Sequence, residues 1–412
     1  MTKQTAIIFN ETQNIPIFQK YLPIINIIKD DKFKITQWDI PYTIKELSYL
    51  VHSHYRYYGK FPPAVAGQIL EQLPPPTTEH YVLDNFSGSG TTMVEAKLRG
   101  IKSFATDISW LSVLSSNVKV SSVNISSIKK TLKELVYEFN NLKKEVIPPN
   151  DDFVHKWFEQ EAIIYLTTIQ TFIFNLKEST EKDFILLAFI GILRRISKAH
   201  NAEVRPHINK EKKQRNTLEA FSKKILDMCK DHEEFMTLTT NNIEAECLHS
   251  DNLSLPNQLN DKKCYLVISH PPYLNSFNYA PVFSLEFYWG KKFEANYGII
   301  DKLHKTELKA HPANEKITAG YFDHLKQCYT ETFNIQDKGS YLAVVIGDCT
   351  RNGKVIPVLD TLITIIEDIG YKLTEINYRT THYGLGKYAY NHRADYHGDN
   401  SEKKDGILIF KK

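Results

Sequence analysis

The sequence predicts an α/β fold, one mostly parallel sheet interrupted by a helical insertion. Three observations carry this. A β–loop–α–β unit runs from 81 to 109. A second group of strand-like runs follows residue 260. Between them, residues 120–240 read as successive helices.

Residues 1–50 form a mixed leader, and its apolar stretch 16–28, broken by Pro23, reads as short helix or irregular packing. Pro62 and Pro63 stand where a helix over 64–73 would begin, and PPPTT at 74–78 is a loop. A short buried strand at 81–83 leads into a turn of small residues at 84–90. A helix at 91–98 is stopped by Arg99 and Gly100, and a second strand at 102–106 ends on Asp107. Helices are predicted over 128–142, 152–176, 181–195 and 218–237. In the second, Phe153, Trp157, Ile164 and Phe172 recur at near-helical spacing. Strands at 264–268 and 341–346, a helix at 358–368 ended by Gly370, and closing strands at 373–379 and 406–411 complete the sheet. The chain thus divides into 1–119 and 241–412, two halves of one α/β domain, around an insertion at 120–240.

The balance of 51 basic and 48 acidic residues gives +3 over 412 residues. That excludes a histone-like polycation but not a nucleic-acid enzyme with positive charge gathered on one face. With 42% hydrophobic and 24% charged residues, there is material for a core, and wholesale disorder is excluded. Five scattered cysteines make neither a disulfide framework nor a zinc cluster, so a reducing, cytoplasmic setting is expected. No signal peptide and no apolar run of about 20 residues is found, so no membrane association is expected. His52 with His54, and His392 with His397, lack the cysteine or carboxylate company of a zinc site; no metal is expected.

Two motifs carry chemistry. In DNFSGSGTT at 84–92, Gly88 and Gly90 let the backbone approach a ligand after a strand, and N–H groups before a helix can hold an anion. It is not a P-loop, because no GKS/T follows. Asp107 is placed to accept ribose hydroxyls. In SHPPY at 269–273, Pro271 and Pro272 donate no backbone hydrogen bonds and leave the preceding carbonyls exposed. Tyr273 offers a flat face. Such a loop suits an exocyclic amine held by acceptors beside a stacked base. A third feature is charge: residues 191–224 hold ten Lys or Arg and three acids, a net +7. Arg194, Arg195, Lys198, Arg205, Lys210, Lys212, Lys213 and Arg215 are the candidate phosphate contacts there. A second basic and aromatic stretch at 378–397 adds Arg393.

DNFSGSGTT followed by SHPPY resembles the two signature motifs of S-adenosylmethionine-dependent DNA amino-methyltransferases of bacterial restriction-modification systems. YYGKFPP at 57–63, YLNSFNYAPVFSLEFYWG at 273–290 and GLGKYAYNHRADYHG with KKDGILIFKK resemble further segments of that family. The resemblance implies a Rossmann-like class I methyltransferase sheet with the insertion as the target-recognition region. It implies that Asp84, Ser87, Gly88, Gly90 and Thr91 surround the methionine part of the cofactor, and that Asp107, with Ile108, takes the ribose. Asp251 and Leu253 would lie at the adenine, and Lys60, Phe61 and Pro62 would close over the cofactor. Ser269, His270, Pro271, Pro272 and Tyr273 match the catalytic loop. His270 departs from the Asp, Asn or Ser usual there. A neutral imidazole accepts one hydrogen bond; a protonated one cannot. The implied reaction is methyl transfer to a flipped base in double-stranded DNA, cytosine N4 favoured, because SPPY-like loops lean that way. Adenine N6 methylation and a non-catalytic module that keeps cofactor affinity stay open, as does a separately encoded cognate restriction endonuclease.

Overall fold

Runs such as YVLD and CYLVIS are apolar without alternation, as strands covered on both faces must be. They lie at the centre of a nine-stranded sheet. The computed structural model describes residues 15–240, 242–255, 257–259, 262–294, 307–380 and 405–412. The strands are β1 (Ile24–Asp30), β2 (Lys34–Asp39), β3 (His80–Asp84), β4 (Lys102–Asp107), β5 (Ala245–His249), β6 (Lys263–Ser269), β7 (Gln336–Gly347), β8 (Cys349–Arg351), β9 (Lys354–Ile356), β10 (Lys372–Thr380) and β11 (Asp405–Lys411). Their order is β1-β2-β10-β11-β7-β6-β3-β4-β5, with β8 and β9 paired as a separate ribbon. Pairing is parallel from β5 through β7, while β11 runs antiparallel to both β7 and β10. This is the Rossmann-like class I methyltransferase sheet that the resemblance implied.

On the sheet lie α2 (Pro63–Gln72), α3 (Thr91–Leu98) and α4 (Trp110–Val120), with the short α1 (Ile17–Lys20) packed beside α2. Between β4 and β5 the chain then makes α5 (Ile125–Glu145), α6 (Asp152–Trp157), α7 (Gln160–Phe174), α8 (Thr180–Ile196) and α9 (Thr217–Leu238). Four of these start on a side-chain cap. Asn124, Asp151, Ser179 and Asn216 accept the N–H of Ser127, Val154, Lys182 and Glu219 respectively, each worth about 1 kcal/mol. Ile128, Leu135, Ile163, Phe184 and Phe221 of these helices share one core with Leu111 and Leu114 of α4. The same core takes in Phe283, Leu285 and Trp289, on and beside α10 (Tyr279–Val282) and α11 (Ser284–Gly290). The chain returns through α12 (Glu315–Ile335) and α13 (Val358–Ile369).

The structure departs from the sequence expectations at several elements, α4, α12 and the β8–β9 ribbon among those not expected. The helix predicted over 152–176 is two helices, because Phe158 and Glu159 are extended. Phe158 turns inward, nine-tenths and more buried, edge-on to Trp289 at 5.7 Å. The leader is not merely helix or irregular packing. After α1 it forms the hairpin β1–β2, and β2 extends the sheet in parallel with β10 over six residue pairs. β5 went unpredicted, since AECLH carries too few apolar residues to read as a strand. Among the described residues, no helix is long and apolar enough to cross a membrane. Among them, too, no cluster of His, Cys, Asp or Glu could hold a metal, and all five cysteines are free and buried.

Candidate functional site

β3 has β4 on one side and β6 on the other, so the chain winds outward in both directions from it. The carboxyl ends of such strands open a crevice where α/β proteins bind ligands. Asp84 sits level with Ala105 and Ile268 in the ladders, which brings the loops after β3, β4 and β6 together. A cleft enclosing about 860 Å³ of empty space, mouth included, lies over them.

The loop after β3 is shaped by two residues in the left-handed region, Gly88 at φ +51° and Gly90 at φ +76°. A Cβ on Gly90 would sit 2.8 Å from the Ser116 backbone, and one on Gly88 would press on the Tyr57 ring at 3.3 Å. The loop is tied to its neighbours. Ser87 N–H donates to the Thr106 carbonyl at 3.1 Å, and Ser87 and Ser116 hydroxyls lie 2.7 Å apart. Asp84 lies beneath the loop, buried, accepting from Thr92 Oγ1 at 2.5 Å and Phe86 N–H at 3.0 Å. Burial pushes its carboxyl up to about 6 against these hydrogen bonds.

Asp107, the last residue of β4, accepts the Gly88 N–H on one oxygen and the Ser109 N–H on the other, each at 2.9 Å. It lines the cleft with Ile108. Burial pushes it up to about 6, with both hydrogen bonds opposing. Its carbonyl accepts from Ser250 N–H at 3.1 Å, which draws Asp251 to the same cleft. Asp251 in turn accepts the Leu253 N–H at 3.0 Å. Lys60 and Phe61 arrive from the segment before α2. Lys60 Nζ donates to the His52 carbonyl at 3.0 Å, and burial pushes its ammonium down to about 7. The Phe61 ring stacks on His270 with centroids 5.0 Å apart.

Of the expected cofactor residues, Lys60, Phe61, Ser87, Gly88, Asp107, Ile108 and Asp251 line the cleft. Asp84, Gly90 and Thr91 support it from below; Thr91 Oγ1 donates to the Phe61 carbonyl at 3.1 Å. Pro62 caps α2, and Leu253 packs against the apolar core beside β3. Of the expected catalytic loop, His270 and Pro272 line the cleft. Ser269 is buried, its hydroxyl 3.3 Å from that of Tyr329, and Pro271 is buried beside it. Tyr273 is not among the lining residues. Its hydroxyl donates to Asp405 at 3.2 Å and accepts from Arg379 at 3.2 Å, above a buried Arg379–Asp405 ion pair of 2.8 Å. Its ring closes against Gly347.

Sequence reasoning missed more than half of the lining. Tyr57, Tyr279 and Phe283 form an aromatic wall, with ring centroids of Tyr57 5.7 Å from Tyr279 and 5.0 Å from Phe283. Glu307 accepts the N–H groups of Tyr279 and Ala280 at 2.9 and 3.2 Å. His324 lies 3.2 Å from the Asn252 side-chain oxygen at the Asp251 end. Only the tyrosines of YYGKFPP and the aromatic run after SHPPY signalled any of this.

The basic stretch splits. Arg195, Arg205, Lys210, Lys213 and Arg215 are exposed. Arg194 is buried, giving its guanidinium to the carbonyls of Val204 and Val282 at 3.2 and 3.0 Å. Lys212 Nζ donates to Arg194 O, Ala199 O and Asn201 Oδ1 at 2.6–3.0 Å. These two hold the loop's shape and are not available to phosphates. Lys198 is half-buried, 3.3 Å from Glu159. Arg393 lies outside the described residues. The Arg56 guanidinium donates to the Asn201 carbonyl, which ties this loop to the segment carrying Tyr57.

No family model matches the chain. It is 26% identical over 246 residues to the type II methyltransferase M.MvaI of Kocuria varians, covering 55% of this chain and 54% of that protein. It is 31% identical over 130 residues to the type II methyltransferase M.MjaII of Methanocaldococcus jannaschii, covering 30% and 23%. Over 449 aligned positions it is 22% identical to the type II methyltransferase M.BsoBI of Geobacillus stearothermophilus, covering 89% and 86%. The chain thus spans about half the length of the first of these relatives and a quarter of the second. Among solved structures, the rRNA methyltransferase aviRa of Streptomyces viridochromogenes superposes with a TM-score of 0.31 at 10% identity, covering 85% and 86%, a likeness that decides nothing. The chain carries the Rossmann-like class I methyltransferase fold and is similar in sequence to type II methyltransferases.

Proposed function

We propose that this chain transfers a methyl group from S-adenosylmethionine to the exocyclic amine of a base in double-stranded DNA. Cytosine N4 is the favoured atom and adenine N6 the alternative. The observation that carries the reading is convergence. Lys60, Phe61, Gly88, Asp107 and Asp251, all expected at the cofactor, share one cleft with His270 and Pro272 of the amine-binding loop. Similarity to type II methyltransferases supports a DNA substrate and a cognate endonuclease as a separate partner.

The residues fit the cofactor. Gly88 and Gly90 hold the left-handed turn after β3, and Gly88 lines the cleft, which brings backbone against the space a ligand would take. Asp107 would accept the ribose hydroxyls, and Lys60 would donate to the amino-acid carboxylate. When bound, S-adenosylmethionine supplies an electrophilic methyl on a sulfonium. An exocyclic amine on a base is a weak nucleophile, because its lone pair is conjugated into the ring. The protein's task is to hold it in line and draw its protons toward acceptors. Neutral His270 serves as an acceptor through its unprotonated nitrogen, backed by the Phe61 ring. Tyr57, Tyr279 and Phe283 offer flat faces for a base that has left the helix. The exposed Arg195, Arg205, Lys210, Lys213 and Arg215 would follow the phosphates.

The test is transfer of labelled methyl to mixed-sequence duplex DNA, with structured RNA and a glutamine-containing peptide as competing substrates. Label in DNA alone supports the reading. Label in RNA or peptide overturns the substrate assignment and leaves the cofactor assignment standing.

A further inference from the structure

β8 and β9 stand apart from the main sheet as a two-stranded ribbon. Asn352 and Gly353 make the turn between them, both in the left-handed region at φ +51° and +75°, as a tight two-residue hairpin requires. The ribbon begins two residues after Gly347, at the carboxyl end of β7, where the Tyr273 ring closes on that glycine. Its root is fixed to the catalytic loop. Asn275 Nδ2 donates to the Thr350 carbonyl at 2.9 Å. Asn275 Oδ1 accepts the Ala313 N–H at 3.2 Å, and the Asn275 N–H donates to the Ala310 carbonyl at 2.6 Å. Cys349 is buried in the same apolar cluster as Leu274 and Ala310, and Ile356 packs against that cluster.

The tip differs from the root. Arg351 and Lys354 pair across the ribbon, directly beside the turn. Alternate residues of a strand share a face, so both cations stand on the face that Cys349 and Ile356 bury at the root, the side of Leu274 and the catalytic loop. Arg351 is half-buried and Lys354 exposed, and among the described residues neither forms an ion pair. A two-stranded ribbon fits a duplex groove, and Arg and Lys side chains at its edge reach phosphate oxygens. Resting on the reading that the substrate is duplex DNA, we infer that the β8–β9 ribbon is a DNA contact: Arg351 and Lys354 hold phosphates of the duplex beside the base presented to the catalytic loop. The exposed cations at 195–215 belong to the insertion before β5, and those of the ribbon follow β7, so the duplex is gripped through two separate segments.

The test is binding of the full chain to mixed-sequence duplex DNA, read by fluorescence anisotropy from about 50 to 200 mM salt. The double change Arg351→Ala with Lys354→Ala should weaken binding and shrink the salt slope by about two, one for each lost phosphate. Its deficit against wild type should therefore narrow roughly tenfold across that salt range. Lys338→Ala with Lys372→Ala removes the same charge near the amino ends of β7 and β10, where both lysines are exposed, and should leave affinity and slope nearly unchanged. Both double variants should keep wild-type thermal unfolding and S-adenosylmethionine affinity. A ribbon variant with wild-type affinity and slope, beside a wild type that binds duplex, would overturn the inference and leave the proposed reaction standing. Weaker binding with an unchanged slope would overturn it too, because no phosphate contact would have been lost. So would an equal loss in the control, since overall charge would then suffice. A wild type that binds no duplex at any salt would remove both the ribbon contact and the DNA substrate.

Discussion

Asp107→Asn isolates the cofactor half of the proposal. In the folded chain each carboxylate oxygen already accepts one backbone N–H at 2.9 Å, and the side chain still lines the cleft. Asparagine keeps one oxygen and turns the other into an NH₂ group, which can accept neither from a ribose hydroxyl nor from the Gly88 or Ser109 N–H that it faces. One hydrogen bond to a charged acceptor is worth roughly 1.5–3 kcal/mol, so S-adenosylmethionine should bind about ten- to hundredfold more weakly. Titration adds a second reading. Burial raises Asp107 to about 6, and the ionised form is the better acceptor. Wild-type affinity should therefore weaken as pH falls through about 6, and this limb should vanish in Asp107→Asn. Stability runs the other way. The raised folded pKa gives a contribution that is full below the unfolded value of about 3.9 and is lost as pH rises through about 6. Asp84 is raised to about 6 as well but is retained in the variant, so a limb that persists belongs to Asp84. Calorimetry from pH 5 to 8, on protein with wild-type circular dichroism, is the assay. An Asp107→Asn chain with the same Kd and pH profile as wild type would refute the reasoning.

Other outcomes follow from the same geometry. His270→Ala should lose turnover and keep cofactor binding, while His270→Ser restores part of it; full activity in the alanine variant would remove His270 from the reaction. Neutralising Lys210, Lys213 and Arg215 should lower DNA affinity across all sequences and shrink the salt slope by about one unit per lost contact, as filter binding at several salt concentrations would reveal. Lys212→Met should instead unfold at lower urea concentration, because it orphans three acceptors. Asp405→Ala strips the buried partner of Arg379 and should cost about 3–5 kcal/mol in chemical denaturation; a loss under 1 kcal/mol would mean that the Arg379 charge is not left buried and unpaired.

What could be read in advance follows the reach of local chemistry. Gly88, Gly90 and Asp107 were legible because a turn in the left-handed region and an acid ending a strand leave marks within a few residues. The central strands were legible because burial on both faces makes an unbroken apolar run. β5 and the β1–β2 hairpin left no such mark, since their place depends on partners 140 or more residues distant for β5 and over 330 for β2. Charge gives no direction: Arg194 and Arg195 are neighbours on α8, yet one is buried and the other faces solvent, because consecutive helical residues point about 100° apart. The aromatic wall of Tyr57, Tyr279 and Phe283 joins segments more than 200 residues apart, so no local pattern announces it. Tyr273 could be named as a flat face, but its ties to Arg379 and Asp405 come from the closing strands.

Nucleoside analysis of the methylated product is the most direct test of the central claim. Duplex DNA of mixed sequence is incubated with the protein and methyl-labelled S-adenosylmethionine, digested, and separated against standards for N4-methylcytosine, N6-methyladenine and C5-methylcytosine. The account predicts label in N4-methylcytosine, with N6-methyladenine as the outcome that keeps the amine chemistry and moves the base. Label in C5-methylcytosine, or none in DNA from a protein that binds both cofactor and DNA, would contradict it.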